Sequence, residues 1–521
     1  MKAAWIALVG ALLPGHALPA PANDDLPPVG HSRFDQLLGE QPVPYPFERL
    51  AETINRQMHT DPGGLPPLKI TLIPLGRSLQ RDAGTPDFFR FPRVVAAADG
   101  ANRPGFAPLK DRLFLGFHEK GEVVEVISYN DDAARFEFQV VRDYAPGKTP
   151  QVFYARRDLC LACHQNAAPI FSRPLWDETP ANPAIAARLR ATDRNFYGVK
   201  VTGTDIAYLI DAATDRANKF SVWQLLWQQG CGAESDGDAC RQEVFTAALA
   251  YARKLQLPAP GALLRLDQTW PALWPDGLPI PNPDLPNRDP LAALSDPAND
   301  PLLLRPPLEL WRAPDKTAFV VGLAGMLNAT GVEKLGTAEL SAPLDRLRAR
   351  GVFAARPFGP QVLDALLAQI GKPRKLAHVQ LPAPRLEPTT VARAQDPLVA
   401  PFRSTCAACH DTTLPHPPNF LHGNPAAVAE QLDQCAERIF VRLSQADLPE
   451  AARSKPPMPP AAALAGRGID TAHWTASPEF AALKAAIRAR LGDRDPQALL
   501  RQPYAQLRPC LPSSSYAEHM Q

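Results

Sequence analysis

Between Arg112 and Tyr154 the chain alternates apolar and polar residues in short runs broken by turn-forming residues. Leu113 to Phe117 is one apolar run, and Val123 to Tyr129 is a second that carries a glutamate in its middle. Asn130-Asp131-Asp132 supplies turn chemistry, after which Arg135 to Val141 alternates with period two, and Gln151 to Tyr154 follows a Pro-Gly turn. Strands of this length joined by short turns predict an antiparallel meander. Upstream, Leu68 to Ile73 reads as a further strand and Phe47 to Met58 as a helix.

After residue 164 the period changes to that of helices. Asn182-Pro183 is an N-cap with proline at the first helical position, opening a helix over Ala184 to Arg190. Ser221 is expected to cap a helix carrying Val222, Trp223, Leu225, Leu226 and Trp227, and another helix is expected from Arg241 to Leu255. From Leu257 to Pro314 proline, asparagine and aspartate dominate, which predicts a long connection or a wrapping arm. A second helical region follows, with Gly359 to Ile370 its best element, and then a Pro-containing stretch from Leu381 to Pro397. Asn424-Pro425 starts a long helix with Val428, Leu432, Cys435 and Ile439 on one face. Ser477-Pro478-Glu479 caps a last amphipathic helix ending at Gly492. No fixed-period repeat is present. The expected class is α+β: a β-rich N-terminal region leads into a helical region, and an all-α C-terminal domain follows.

Composition narrows the setting. Hydrophobic residues make up 45% and charged residues 21% of the 521, the proportions of a globular chain with real cores. Lys+Arg (55) balances Asp+Glu (54), so no global field points to nucleic acid or to an anionic membrane. Lys2, the apolar Ala3 to Leu13 and the small residues ending at Ala20-Pro21-Ala22 form a signal-peptide pattern, with Ala17 or Ala20 as alternative ends. No later segment has 18 consecutive apolar residues, so the mature chain is expected to lack a transmembrane segment and to reside in the periplasm.

The candidate chemistry lies in two short motifs, Cys160-Leu161-Ala162-Cys163-His164 and Cys406-Ala407-Ala408-Cys409-His410. C-x-x-C-H is the attachment signature of a c-type haem: two thiols add across the porphyrin vinyls and the adjacent histidine donates a ring nitrogen to iron. The expected cofactors are therefore two covalently attached c-type haems, with His164 and His410 as iron ligands. The thioether linkage is made outside the cytoplasm in bacteria, which agrees with export. Of the other four cysteines, Cys231–Cys240 and Cys435–Cys510 are the favoured disulfides in an oxidising compartment.

From Asp396 onward the chain resembles a class I cytochrome c domain, over about a quarter of its length. Cys406, Cys409 and His410 match the attachment and proximal residues, and Pro417-Pro418-Asn419-Phe420-Leu421-His422-Gly423 is similar to that family's Pro-Asn-Leu-x-Gly loop. The resemblance implies that the Pro418 carbonyl accepts the proximal His Nδ1–H. It also implies that Met458, in the rigid Lys455-Pro456-Pro457-Met458-Pro459-Pro460 loop, is the sixth ligand. His416 and His422 follow the proximal ligand too closely to reach the opposite face. The resulting domain scheme is signal peptide 1–22, β-rich region 23–158, helical first-haem region 159–256, Pro-rich arm and helical connector 257–395, and cytochrome c-like domain 396–521.

The first motif has less around it. Pro169-Ile170-Phe171 offers a carbonyl near His164, by analogy with Pro418. Its sixth ligand is open between His118, His59, Met58, His378 and Met326, or no side chain at all. Trp176 and Tyr154 are candidates for the wall of its pocket. Two haem motifs in one exported chain resemble the bacterial di-haem peroxidase group, in which one haem supplies electrons and the other does chemistry. The chain departs from that group in placing its first motif behind a β-rich segment and in the long separation from Cys160 to Cys406. The expected function is electron transfer with a periplasmic redox partner protein. The alternative is a peroxidase- or oxygenase-like oxidoreductase with the N-terminal haem as the reactive centre.

Overall fold

The structure, a computed structural model, describes residues 28–510 apart from 173–177, 255–262, 281–283, 286–289, 292–308, 312–314, 328–339, 374–380, 388–398, 412–416, 465–468 and several gaps of one or two residues. The signal-peptide pattern, Trp176, His378 and His416 lie outside the described residues, as does much of the 257–314 stretch.

The fold is mixed α+β. Two helices, α1 (Arg33–Leu38) and α2 (Phe47–Arg56), precede a six-stranded sheet. Its strands are β1 (Leu68–Ile73), β2 (Arg93–Ala98), β3 (Leu113–His118), β4 (Val123–Asn130), β5 (Arg135–Arg142) and β6 (Gln151–Tyr154). All neighbours are antiparallel and spatial order follows chain order, so the expected meander is observed and extended. Period-two alternation sends the two sets of side chains to different cores. Phe47, Leu50 and Ile54 of α2 pack with Leu113, Leu115, Phe117, Val124 and Val126 on one face. Ala97, Phe114, Tyr129 and Phe136 face the helical region on the other.

The chain leaves β6 directly into α3 (Arg157–Leu161), which carries Cys160. The helix α4 (Pro183–Arg190) begins as expected, with the Asn182 side chain accepting from Ala184 N at 2.9 Å and Pro183 at the first position. The next helix corrects an expectation. Ser221 does not cap a helix; it lies inside α5 (Thr204–Gln229), of 26 residues. The stripe Ala207, Ile210, Ala213, Ala217, Trp223 and Trp227, buried and joined by the partly buried Phe220, runs through it at three- and four-residue spacing. Small alanines disguise that stripe in the sequence. Then come α6 (Ser235–Lys254), α7 (Leu264–Leu273), α8 (Lys316–Met326), α9 (Ser341–Ala349) and α10 (Pro360–Gln369). The stretch expected as a connection thus holds a ten-residue helix, with Leu266 and Trp270 buried, and an antiparallel pairing of Leu278–Ile280 with Glu309–Trp311. Its Asp284–Leu285 pairs in parallel with Phe171–Ser172, just beyond the first motif.

A third core is helical. It is built from α11 (Ala400–His410), α12 (Pro425–Ser444), α13 (Thr471–Thr475), α14 (Pro478–Arg490) and α15 (Pro496–Arg501), with no strand among the described residues. Asn424 and Ser477 cap α12 and α14 through bonds from Ala427 N (3.0 Å) and Phe480 N (3.1 Å). The helix ending before Gly492 is not the last, because Asp495-Pro496 starts α15. Both favoured disulfides are present: Cys231–Cys240 joins α5's end to α6, and Cys435–Cys510 ties the tail to α12. No described helix is long and apolar enough to cross a membrane.

Candidate functional site

The four motif cysteines, Cys160, Cys163, Cys406 and Cys409, form no disulfide, whereas the other four are joined in two. Burial, joined by the nearby Glu125 charge, pushes the Cys160 thiol far up, and burial pushes Cys406 up to about 12. Both are therefore neutral thiols at ordinary pH.

In the second motif α11 runs to His410, so both cysteines and the histidine share the last turn of one helix. His410 Nδ1 bonds the Pro418 carbonyl at 2.7 Å, the partner expected from the proline loop. His410 O takes the Leu421 N–H at 3.0 Å, and Phe420 stacks on the imidazole at 4.3 Å. Arg403 reinforces the loop by donating to Asp411 (3.1 Å) and to Leu421 O (3.2 Å). Burial holds the His410 pKa down to about 4, against the raising effect of the Pro418 bond, so the ring is a neutral imidazole with Nε2 available to a metal. His422 Nδ1 bonds Asp411 at 3.3 Å, which gives that ring a local partner.

The Met458 loop is tied to the same neighbourhood through Arg442 at the end of α12. Arg442 O accepts from Met458 N at 3.2 Å, Arg442 Nε donates to Pro456 O at 2.6 Å, and its charge is felt at His410. Met458 itself is half-buried, which leaves its thioether reachable.

The first motif reaches the same result by another route. His164 Nδ1 bonds a backbone carbonyl at 2.8 Å, but it is that of Ala168, one residue before the expected Pro169-Ile170-Phe171. Ala167, in the left-handed region at φ 50°, turns the chain back so that the Ala168 carbonyl meets the ring. The Pro169 carbonyl is taken instead by Asn218 Nδ2 of α5 at 2.7 Å, and Asn166 bonds the Asn218 side chain at 3.2 Å. Asn218 is buried and clamps the loop under the histidine.

His164, Cys160 and Cys163 open onto a cleft of about 1630 Å³, mouth included, between the first motif and the helix-facing side of the sheet. The wall is apolar where Ile73, Val95, Phe114, Ile127, Phe138 and Val140 meet it, and Phe138 lies 5.4 Å from the His164 ring. Charged pairs interrupt it, the first where Arg93 of β2 reaches across β3 to Glu125 of β4. Gly116 of β3 stands opposite Glu125 on one side and Val95 on the other, and a Cβ there would run into the Arg93 guanidinium. Deeper, Arg77 and Glu178 form a buried pair at 2.8 Å.

None of the four described candidates for a sixth ligand at the first motif is among the described residues of this wall. His118 is buried at the end of β3 with Nδ1 accepting from Gly121 N at 3.1 Å. Met58 is buried in the core on the opposite face of the sheet, His59 is exposed beside it, and Met326 is buried in α8. Tyr154 also lies off the wall; its hydroxyl bonds Asp35 and takes the Ser32 N–H. Ala168, Asn218, Phe138 and the Arg93–Glu125 pair carry no motif, although Glu125 in the middle of a valine run is visible as an anomaly on an inward strand face.

Both motifs fit a covalently bound haem by the same test: two thiols outside any disulfide beside an imidazole whose Nδ1 is already committed to a carbonyl. Among the described residues no cluster of three or more His, Cys, Asp or Glu side chains is arranged to hold a bare metal ion. No family model matches the chain, and neither the curated proteins nor the solved structures contain a match.

Proposed function

We propose that the chain is an exported di-haem c-type cytochrome that transfers electrons to or from a periplasmic redox partner protein. Haem would be attached at Cys160 and Cys163 and at Cys406 and Cys409, with His164 and His410 on the irons and Met458 completing the second in a cytochrome c-like domain. The observation that carries this reading is the matched state of the two histidines, whose Nδ1 atoms bond Ala168 O at 2.8 Å and Pro418 O at 2.7 Å. Such a bond fixes the ring and raises the basicity of the other nitrogen toward a metal. Bound haem supplies an iron that cycles between two oxidation states. The residues supply the rest: carbonyls that orient the imidazoles, Phe138 and Phe420 that flank them, and a proline-rich loop that presents a thioether. The residue 1–22 pattern supports export, where covalent attachment takes place. The test is the optical spectrum of the purified protein before and after chemical reduction. Sharp low-spin bands that appear on reduction and vanish on reoxidation support the reading; a chain without haem absorption overturns it.

A second reading, a haem-dependent oxidoreductase with the first haem as reactive centre, is favoured by the cleft. Its described wall holds an Arg–Glu pair and none of the candidate ligands. Carbon monoxide added to the ferrous protein, or peroxide added to the ferric protein, tests it. A spectral change at one haem of the two supports it, and two low-spin haems indifferent to both remove it.

A further inference from the structure

Cys160 and Cys406 are distant in sequence, yet the elements that carry the two motifs meet. Helix α3 packs directly against α11. Helices in contact have axes about 8–10 Å apart, so groups projecting into the shared interface are neighbours. The thiol of Cys160 lies within electrostatic reach of Cys409. Pro417 precedes the residue whose carbonyl holds His410, and it also lines the cleft of His164, Cys160 and Cys163. The connector ahead of the C-terminal domain is also fastened to the sheet. Tyr154 N donates to Arg385 O (2.7 Å), Glu387 N donates to Tyr154 O (2.8 Å), and Arg142 pairs with Glu387, which itself lines the cleft.

From this geometry, and resting on the di-haem reading, we infer that α3 and α11 hold the two haems as one contact pair across the domain boundary, with Pro417 belonging to both sites. Cys160, Cys163 and His164 would hold one haem and Cys406, Cys409 and His410 the other, and the two groups would supply neighbouring one-electron centres. The pair would accept or deliver two electrons as a unit.

Circular dichroism in the Soret region of the oxidised full-length holoprotein tests this. Two porphyrins in contact couple their transitions and give paired bands of opposite sign. Those bands are expected in the wild type and expected to be absent from the Cys160→Ser/Cys163→Ser and Cys406→Ser/Cys409→Ser variants and from the sum of their spectra. A wild type that carries two haems by mass but matches that sum overturns the pairing and leaves the di-haem reading standing. A wild type with fewer than two haems overturns both. Where a variant fails to fold, electron paramagnetic resonance of the wild type alone decides. The remaining ferric signal in the half-reduced protein is expected to saturate at severalfold lower power than in the fully oxidised protein. Unchanged saturation overturns the pairing.

Discussion

Asn218 serves the first motif from outside it. Its amide holds the Pro169 carbonyl at 2.7 Å and the Thr214 carbonyl at 2.9 Å, and its side-chain oxygen accepts from Asn166 at 3.2 Å. Asn218→Leu leaves buried polar groups unpaired and is expected to cost roughly 1–3 kcal/mol in denaturant unfolding. It should also alter the magnetic resonance signal of the first haem and leave the second unchanged, a split that a general loss of packing would not produce. In the second motif, Met458→Ala is expected to remove the near-infrared thioether–iron band while the haem stays attached; retention of the band would assign the ligand to another methionine. The two proximal carbonyls were unequally legible for a physical reason. Pro418 stands in a proline loop whose rigidity is written in the residues, and His410 found it. The Ala168 carbonyl depends on a left-handed Ala167 that nothing about alanine announces. Asn218 lies a helix away in sequence, so no local pattern points to it.

At the scale of elements, strands and helix starts were readable wherever one signal dominated. Asn182-Pro183, Asn424-Pro425 and Ser477-Pro478 each begin a helix as read, because an oxygen cap followed by a φ-restricted proline leaves few alternatives. Strand β2 was missed because Ala96-Ala97-Ala98 has little β preference of its own; pairing on both edges and packing under α5 make it a strand. Helix α5 was cut short because its buried stripe is largely alanine upstream of Ser221. The sheet carries the most specific device in the cleft. Gly116 keeps β3 low enough for Arg93 to reach Glu125 across it. Gly116→Val fills that path, and a cost of about 1–3 kcal/mol is expected from the forced displacement. Combining it with Arg93→Met should recover part of that loss, since residues in contact are coupled. Strictly additive losses in the double variant would show that the glycine serves some other neighbour.

At the scale of the molecule there are three cores beside the two Cys-x-x-Cys-His motifs: one on each side of the sheet, and one within the C-terminal helices. The disulfides brace two of them. Cys231–Cys240 spans 9 residues and Cys435–Cys510 spans 75. Loop-closure entropy predicts a loss of about 3 kcal/mol for Cys231→Ser/Cys240→Ser and about 4 kcal/mol for Cys435→Ser/Cys510→Ser. The second loss should be confined to the unfolding of the C-terminal domain, seen by following the two haem environments separately. The mixed class and both disulfide pairings were legible from the sequence because spacing and compartment constrain them. The apposition of the motifs was not, since it arises from the contact of α11 with α3, two helices far apart in the chain with no shared local pattern. The account as a whole depends on both motifs carrying covalent haem. Intact mass of the denatured, purified exported protein measures that directly. The predicted value is the polypeptide from the signal cleavage site onward plus two haems; a mass with one haem or none would contradict it.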